Sequence, residues 1–351
     1  MIFLFIDVNP NIASHRLRLL PFQKVISDTG NESQTLIIFK TKFLFFRAVS
    51  FLINYFRLLK ADFLIASKPA TDKKTYRFIK IAKILGKKII IDMSDNHLLN
   101  KNLGEKNTFR LLNILQLADF ITVPTVKLRD SLPDKFHFKI HIIEDALDEL
   151  CLPESSYDEN FHKLKVLWFG HAGWAKIRPG PSESLKLFIS SMSHPLFKEI
   201  HSNNKILEFY IVSNDADQVR DYIAKAGVTE KIFVSTWSID AMKKNLSECN
   251  LVFIPYGNTN DLDTTKSSNR LELAVLARKS VLTNRFFTHW DQTLRDYIFE
   301  LKDDTTLFDI KRYMASVKEN HTDAFKYLGD KQNNIIAGWV RLIDESVRYK
   351  M

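Results

Sequence analysis

Short runs of unbroken apolar residues, each followed by a segment with helical spacing, recur along this chain. A strand that is apolar at every position has to be covered on both faces, and parallel sheets sandwiched between helices provide that cover. In the first half the runs are residues 2–8, 35–39, 62–66, 88–92, 119–123 and 140–143. A helical stretch at 76–85 stops at Gly86, where a helix C-terminal glycine belongs. A polar patch at 152–161 then breaks the pattern and reads as a linker. The alternation restarts with runs at 165–169, 207–212, 231–234, 251–255 and 280–283, and a helix at 217–226 stops at Gly227.

The 351 residues suit two domains of about 150 each. The sequence therefore predicts two α/β domains, 1–155 and 156–325, and a long terminal helix over 326–351. Ile335, Ile336, Trp339, Val340, Leu342, Ile343 and Val347 share one face of that helix, which places it back against the first domain.

Two cysteines, Cys151 and Cys249, make no disulfide framework and lack the companions of a zinc site, so a reducing, cytoplasmic setting without a metal is expected. The first six residues are apolar, meet Asp7 at once and carry no basic leader, which reads as a buried strand rather than a signal peptide. The most apolar stretch, 43–59, is interrupted by Arg47, Asn54 and Arg57, so no membrane span is expected. A net charge of +9 favours anionic partners. Without a basic-aromatic motif or a Cys/His finger, nucleotide phosphates and lipid headgroups fit better than nucleic acid.

In open parallel sheets, ligands bind at the loops leaving the carboxyl ends of strands, where helix N-termini offer free N–H groups. Four such places stand out. After the strand at 251–255 comes a polar loop, and Lys266, Ser267, Ser268, Asn269 and Arg270 then open a helix. Its N-terminus beside Lys266 could cradle a diphosphate, with Glu272 one turn in to accept ribose hydroxyls; the same residues also fit an ordinary capped helix. After the strand at 165–169 come Gly170, His171, Gly173, Lys176 and Arg178. The glycines allow a ligand close to the backbone and the cations could neutralise phosphate, although a plain surface loop fits too.

The loop after the first strand carries Ser14, His15, Arg16 and Arg18 but no G-x-G-x-x-G, which argues against a dinucleotide dehydrogenase. Arg16 and Arg18 point to different helix faces, so at most one looks into a ligand site. At the end of the strand at 88–92, Asp95 and His97 are candidates for contact with a sugar hydroxyl or a proton; capping by Ser94 or Asp95 is the alternative.

The segments Ala118-Asp-Phe-Ile-Thr-Val-Pro-Thr125, Ile142-Ile-Glu-Asp-Ala-Leu-Asp148, Ala13-Ser-His-Arg-Leu-Arg18 and, most specifically, residues 251–284 resemble the retaining glycosyltransferases of family 4 from bacterial cell-surface polysaccharide assembly. That resemblance implies a GT-B fold, two Rossmann-like domains with parallel sheets facing across a cleft. It implies a nucleotide-sugar donor on the second domain, held by Gly170, His171, Lys176, Arg178, Lys266, Ser267, Ser268, Asn269, Arg270 and Glu272. A glycan or lipid-linked acceptor would lie near Ser14, His15 and Arg16 on the first. No cofactor and no metal are implied, because protein cations and helix N-termini stabilise the departing diphosphate. The chain departs from the family motif: its glutamate aligns with Leu273, its glycine with Arg278, its proline with Ser280 and its upstream glutamate with Thr265. A sugar-nucleotide epimerase of the same fold and a non-catalytic assembly partner are the alternatives.

Residues 40–60 form a basic, aromatic helical segment whose polar residues Arg47, Ser50, Asn54 and Arg57 make one narrow stripe. The surplus apolar surface suits peripheral docking on an anionic inner membrane, or burial between the sheet and its neighbours.

Overall fold

The computed structural model describes residues 1–6, 12–36, 44–67, 73–99, 104–148, 163–175, 178–203, 206–257, 268–285, 292–319 and 321–348. The chain forms two compact units. Among the described residues, one takes in 1–146 and 331–348, the other 147–257 and 268–330.

In the first unit, β1 (Ile2–Ile6), a π-helical turn (His15–Leu19) and α1 (Leu20–Asp28) lead to β2 (Glu32–Thr35). Next come α2 (Leu44–Lys60), β3 (Phe63–Ser67), α3 (Lys73–Ile84), β4 (Lys88–Asp92), α4 (Glu105–Leu117), β5 (Phe120–Val123), α5 (Val126–Asp130) and β6 (Ile140–Ile142). The second unit opens on β7 (Lys163–Gly170) and the antiparallel pair β8 (Gly173–Ala175) and β9 (Arg178–Pro181). It continues with α6 (Glu183–Ser191), α7 (Pro195–Ser202), β10 (Ile206–Ser213), α8 (Ala216–Ala226), β11 (Ile232–Thr236), α9 (Ile239–Glu248), β12 (Leu251–Phe253) and α10 (Asn269–Leu276). The chain ends with β13 (Ser280–Thr283), β14 (Ile298–Glu300), α11 (Leu307–Glu319) and α12 (His321–Arg348). Each unit carries a six-stranded parallel sheet, ordered β2-β1-β3-β4-β5-β6 in the first and β11-β10-β7-β12-β13-β14 in the second.

The unbroken apolar strands fill both faces. Phe3 and Phe5 of β1 turn towards Phe22, Val25 and Ile26 of α1 and towards Ile335, Trp339, Leu342 and Ile343 of α12. Phe22 stacks on Trp339 with ring centroids 4.3 Å apart. Leu4 and Ile6, pointing the other way, pack with Leu58 of α2, Ile79 and Ala82 of α3 and Leu111, Ile114 and Leu115 of α4. The N-terminal turns of α12 instead contribute Ala324 and Leu328 to the second unit's core, where Trp168, Phe188, Phe209 and Phe253 lie together.

Three elements differ from the sequence expectation. The second strand lies at Glu32–Thr35 rather than 35–39, and residues 37–43 fall outside the described ones. It is an edge strand, hydrogen-bonded to β1 alone, so nothing forces it to be apolar. β14 is a second edge strand of three residues. The β8–β9 hairpin reads as a loop because its residues are Gly- and Pro-rich. Gly173 serves that hairpin rather than a ligand: with φ +104, a Cβ there would sit 2.3 Å from the Gly180 carbonyl oxygen and 2.7 Å from Ser182 N. The linker at 152–161 lies outside the described residues.

Candidate functional site

The carboxyl ends of β7, β10 and β12 gather the polar groups of the second unit. At the end of β7, Gly170 leaves room that a side chain would close, since a Cβ would meet Arg270 Nη1 at 3.3 Å and the Trp168 ring at 3.4 Å. Arg270, in the first turn of α10, donates through Nη1 to the Phe169 carbonyl (3.4 Å) and lays its guanidinium over the Tyr256 ring, 5.5 Å from the centroid. It thereby fastens the N-terminus of α10 to the end of β7.

Asn214, directly after β10, accepts from Ala172 N (3.2 Å), and its Nδ2 lies 3.2 Å from His171 Nε2. His171 is exposed, and its Nδ1 accepts from Gly173 N at 3.0 Å. Beneath these groups Ser184 accepts from Trp168 Nε1 (3.1 Å) and donates to the Pro255 carbonyl (2.9 Å). Asn284 closes a two-way pair with the Tyr256 backbone, at 2.8 and 3.0 Å.

Helix α10 starts as expected after Ser268, but the serine does not cap it with its side chain. Its hydroxyl donates instead to Glu272 Oε1, and the Glu272 backbone N–H donates to the Ser268 carbonyl at 3.0 Å. Glu272 is 2 % exposed, so its carboxylate is an inward-facing group at the root of the helix N-terminus rather than a solvated one. At the other end, Arg278 takes the left-handed conformation (φ 55) where the family motif has glycine. Arg278 N donates to Val275 O (2.8 Å) and Lys279 N to Ala274 O (2.9 Å), a complete Schellman closure. The guanidinium of Arg278 stacks 5.3 Å from the Phe325 centroid.

In the first unit the expected acceptor-side residues Ser14 and His15 are buried. Ser14, which precedes the π-helical turn, and His15, its first residue, are 6 % and 5 % exposed; Arg16 is half-buried. Arg18 carries a buried set of partners. It is fully buried, donates to Asp92 (2.6 Å), Asp145 (3.0 Å) and the Ile143 carbonyl (2.7 Å), and lies over Trp339. Burial alone would lower its pKa, yet the two carboxylates raise it, so the guanidinium stays charged.

Asp92 also accepts from Thr122 (2.7 Å) and Ser67 (2.9 Å), which links the ends of β3, β4 and β5. Asp95 and His97 are both half-buried on the following loop. Asn96 between them is fully buried: it donates to the Ser131 carbonyl and hydroxyl and accepts from Leu98 N. Asn96, rather than Ser94 or Asp95, caps the short turn at His97–Leu99.

Lys176, Lys266 and Ser267 lie outside the described residues, and of Arg178 only the backbone, in β9, is described. Asn214, Ser184 and Asn284 escaped the sequence analysis, and Arg18 was named there without its buried partners. Asn214 could have been found, because it follows the strand at 207–212 directly and strand ends are where ligand-facing polar groups collect. Among the described residues no group of three or more His, Cys, Asp and Glu could hold a metal ion.

No protein-family model matches the chain, and no curated protein sequence matches it. Solved structures do. Anabaena HepE, in complex with UDP and glucose, is 10 % identical, with a TM-score of 0.56 over 99 % of this chain and 100 % of that one. S. aureus MnaA, solved with UDP, is 12 % identical, with a TM-score of 0.57 over 99 % and 96 %. The UDP-GlcNAc 2-epimerase from Methanocaldococcus jannaschii is 13 % identical, with a TM-score of 0.50 over 91 % of each. At such identities the likeness shows the fold, the two-domain α/β arrangement of GT-B proteins, each half a Rossmann-like parallel sheet with alternating helices. Membership of glycosyltransferase family 4 does not follow from it.

Proposed function

We propose that the chain is a glycosyltransferase that binds a nucleotide sugar at the N-terminus of α10 and moves the sugar to a glycan or lipid-linked acceptor in surface polysaccharide synthesis. The observation that carries the proposal is the construction around α10. Its first turn is bolted to β7 by Arg270, its root holds the buried Glu272 bonded to the half-buried Ser268, and Gly170 keeps the adjoining strand end free of side chain.

The backbone N–H groups of that first turn favour a diphosphate, and the Glu272 carboxylate lies one turn in from them. Lys266 and Ser267 immediately precede the helix in sequence and add a cation and a hydroxyl to the same segment. Two structures of like fold were solved with UDP, which supports a pyrimidine nucleotide as the donor's carrier. Catalysis then rests on holding the donor and stabilising the departing diphosphate, with retention of anomeric configuration inferred from the family 4 resemblance. Asp95 and His97 remain the residues assigned to the sugar and acceptor hydroxyls.

A second reading is a sugar-nucleotide epimerase, favoured by the likeness to the Methanocaldococcus jannaschii enzyme. Incubation of the purified chain with UDP-sugars, with and without a lipid extract, separates the two. Release of UDP that depends on added acceptor supports the transferase. Conversion of the donor to its epimer without acceptor replaces it with the second reading, and no turnover of any sugar nucleotide overturns both.

A further inference from the structure

Helix α2 is built inside out. Its small polar stripe faces the protein: Ser50 and Asn54 are 8 % and 9 % exposed and hydrogen-bonded to each other, and Arg57 turns its Nη1 onto the Thr35 carbonyl. Its outer face is apolar. Phe51, Leu52, Phe56 and Leu59 are 54, 53, 61 and 42 % exposed, at the spacing of one helix side. On the same side of the sheet, Ile84 of α3 and Phe109 of α4 are 82 % and 64 % exposed. A helix that buries its hydroxyl and amide groups and offers aromatic rings to solvent needs an apolar environment outside it.

Charge identifies that environment. Residues 36–91, which include α2 and α3, hold thirteen Lys and Arg against Asp62 and Asp72 and no Glu, so the segment alone exceeds the chain's net +9. Lys60, Arg77 and Lys80 are exposed around the apolar residues. A second copy of this chain would bring the same positive face and be repelled, whereas an anionic bilayer offers an apolar interior beneath negative headgroups. Among the described residues no helix is long and apolar enough to cross a membrane, so the contact is a shallow one.

We infer that the outer face of α2, flanked by the basic residues of α3, docks on an anionic phospholipid surface with Phe51, Leu52, Phe56 and Leu59 in the headgroup–acyl boundary. This goes beyond the sugar-nucleotide reading and does not rest on it.

The test is co-sedimentation of the full chain with phosphatidylcholine vesicles and with vesicles containing phosphatidylglycerol, in the absence of nucleotide. Binding should be at least about tenfold tighter to the anionic vesicles and should fall steeply in about 1 M salt. The Leu52→Ser/Phe56→Ser variant, checked by thermal melting to be folded, should lose about tenfold or more in affinity. A Phe56→Trp variant should be quenched by brominated acyl chains, which contact with headgroups alone would not produce. No preference for anionic vesicles, undiminished binding of the double variant, or a dimer that the double variant abolishes while vesicles are ignored would each overturn the inference.

Discussion

Arg18 sits between Asp92 and Asp145 with no exposure to water, so its loss would leave two buried carboxylates without their cation. Breaking a buried ion pair from one side costs about 3–5 kcal/mol. Arg18→Met is therefore expected to lower the unfolding free energy of the first unit by that order, read from urea unfolding followed by far-UV circular dichroism.

The second unit holds a buried charge of its own. Glu208 on β10 pairs with Lys163 (2.7 Å) and Lys231 (2.6 Å) and accepts from Tyr210 (2.8 Å). Burial would raise its carboxyl, but these three partners outweigh burial and hold it down at about 2. A depressed folded value means the clamp contributes fully above the unfolded carboxylate's range and is lost as pH falls through it. Thermal melts should thus show a stability loss between about pH 4.5 and pH 2 that Glu208→Gln removes. At pH 7 the same variant should be less stable by about 1–3 kcal/mol.

Residue roles of this kind were barely legible in the sequence. Arg16 and Arg18 are equally basic and two apart, and only the packing of the π-helical turn decides which one the sheet buries. Glu272 was identifiable from its position, while its pairing with Ser268 was not.

At the scale of elements, period and punctuation carried most of the information. The strands at 88–92 and 280–283 have the bounds that their apolar runs predict, and Gly86 and Gly227 take the positive φ of helix ends. Edge elements were invisible for a physical reason. A strand with one neighbour can be polar, like β2, or very short, like β14, and neither leaves an apolar run. Helix α2 misleads in the opposite sense, because a narrow polar stripe on a helix ordinarily marks the wet side and here marks the dry one.

The β8–β9 hairpin gives a test at this scale. Gly173→Ala pushes a methyl onto the Gly180 carbonyl, and neither is a flexible side-chain end that can swing aside. The variant should be less stable by about 1–3 kcal/mol, read by thermal denaturation, whereas Gly180→Ala meets no atom within 4 Å and should bear only the strain of its φ of +93.

Over the whole molecule, one α/β alternation that breaks once and restarts announced two sheets, and the structure has them with six strands each. What the pattern could not supply was chemistry, since many functions share this architecture and a site is made by a few strand-end residues. Here those residues are spread over Gly170, Asn214, Tyr256 and the first turn of α10, far apart in sequence and joined by the sheet order.

The central claim is that the N-terminus of α10 holds a nucleoside diphosphate, and isothermal titration calorimetry of the full chain with UDP, GDP, CDP and dTDP addresses it directly. The account predicts saturable one-site binding of at least one of them, UDP foremost, weakened about tenfold or more in a folded Glu272→Gln variant. Heats of dilution alone for all four nucleotides, or an affinity that Glu272→Gln leaves unchanged, would contradict it.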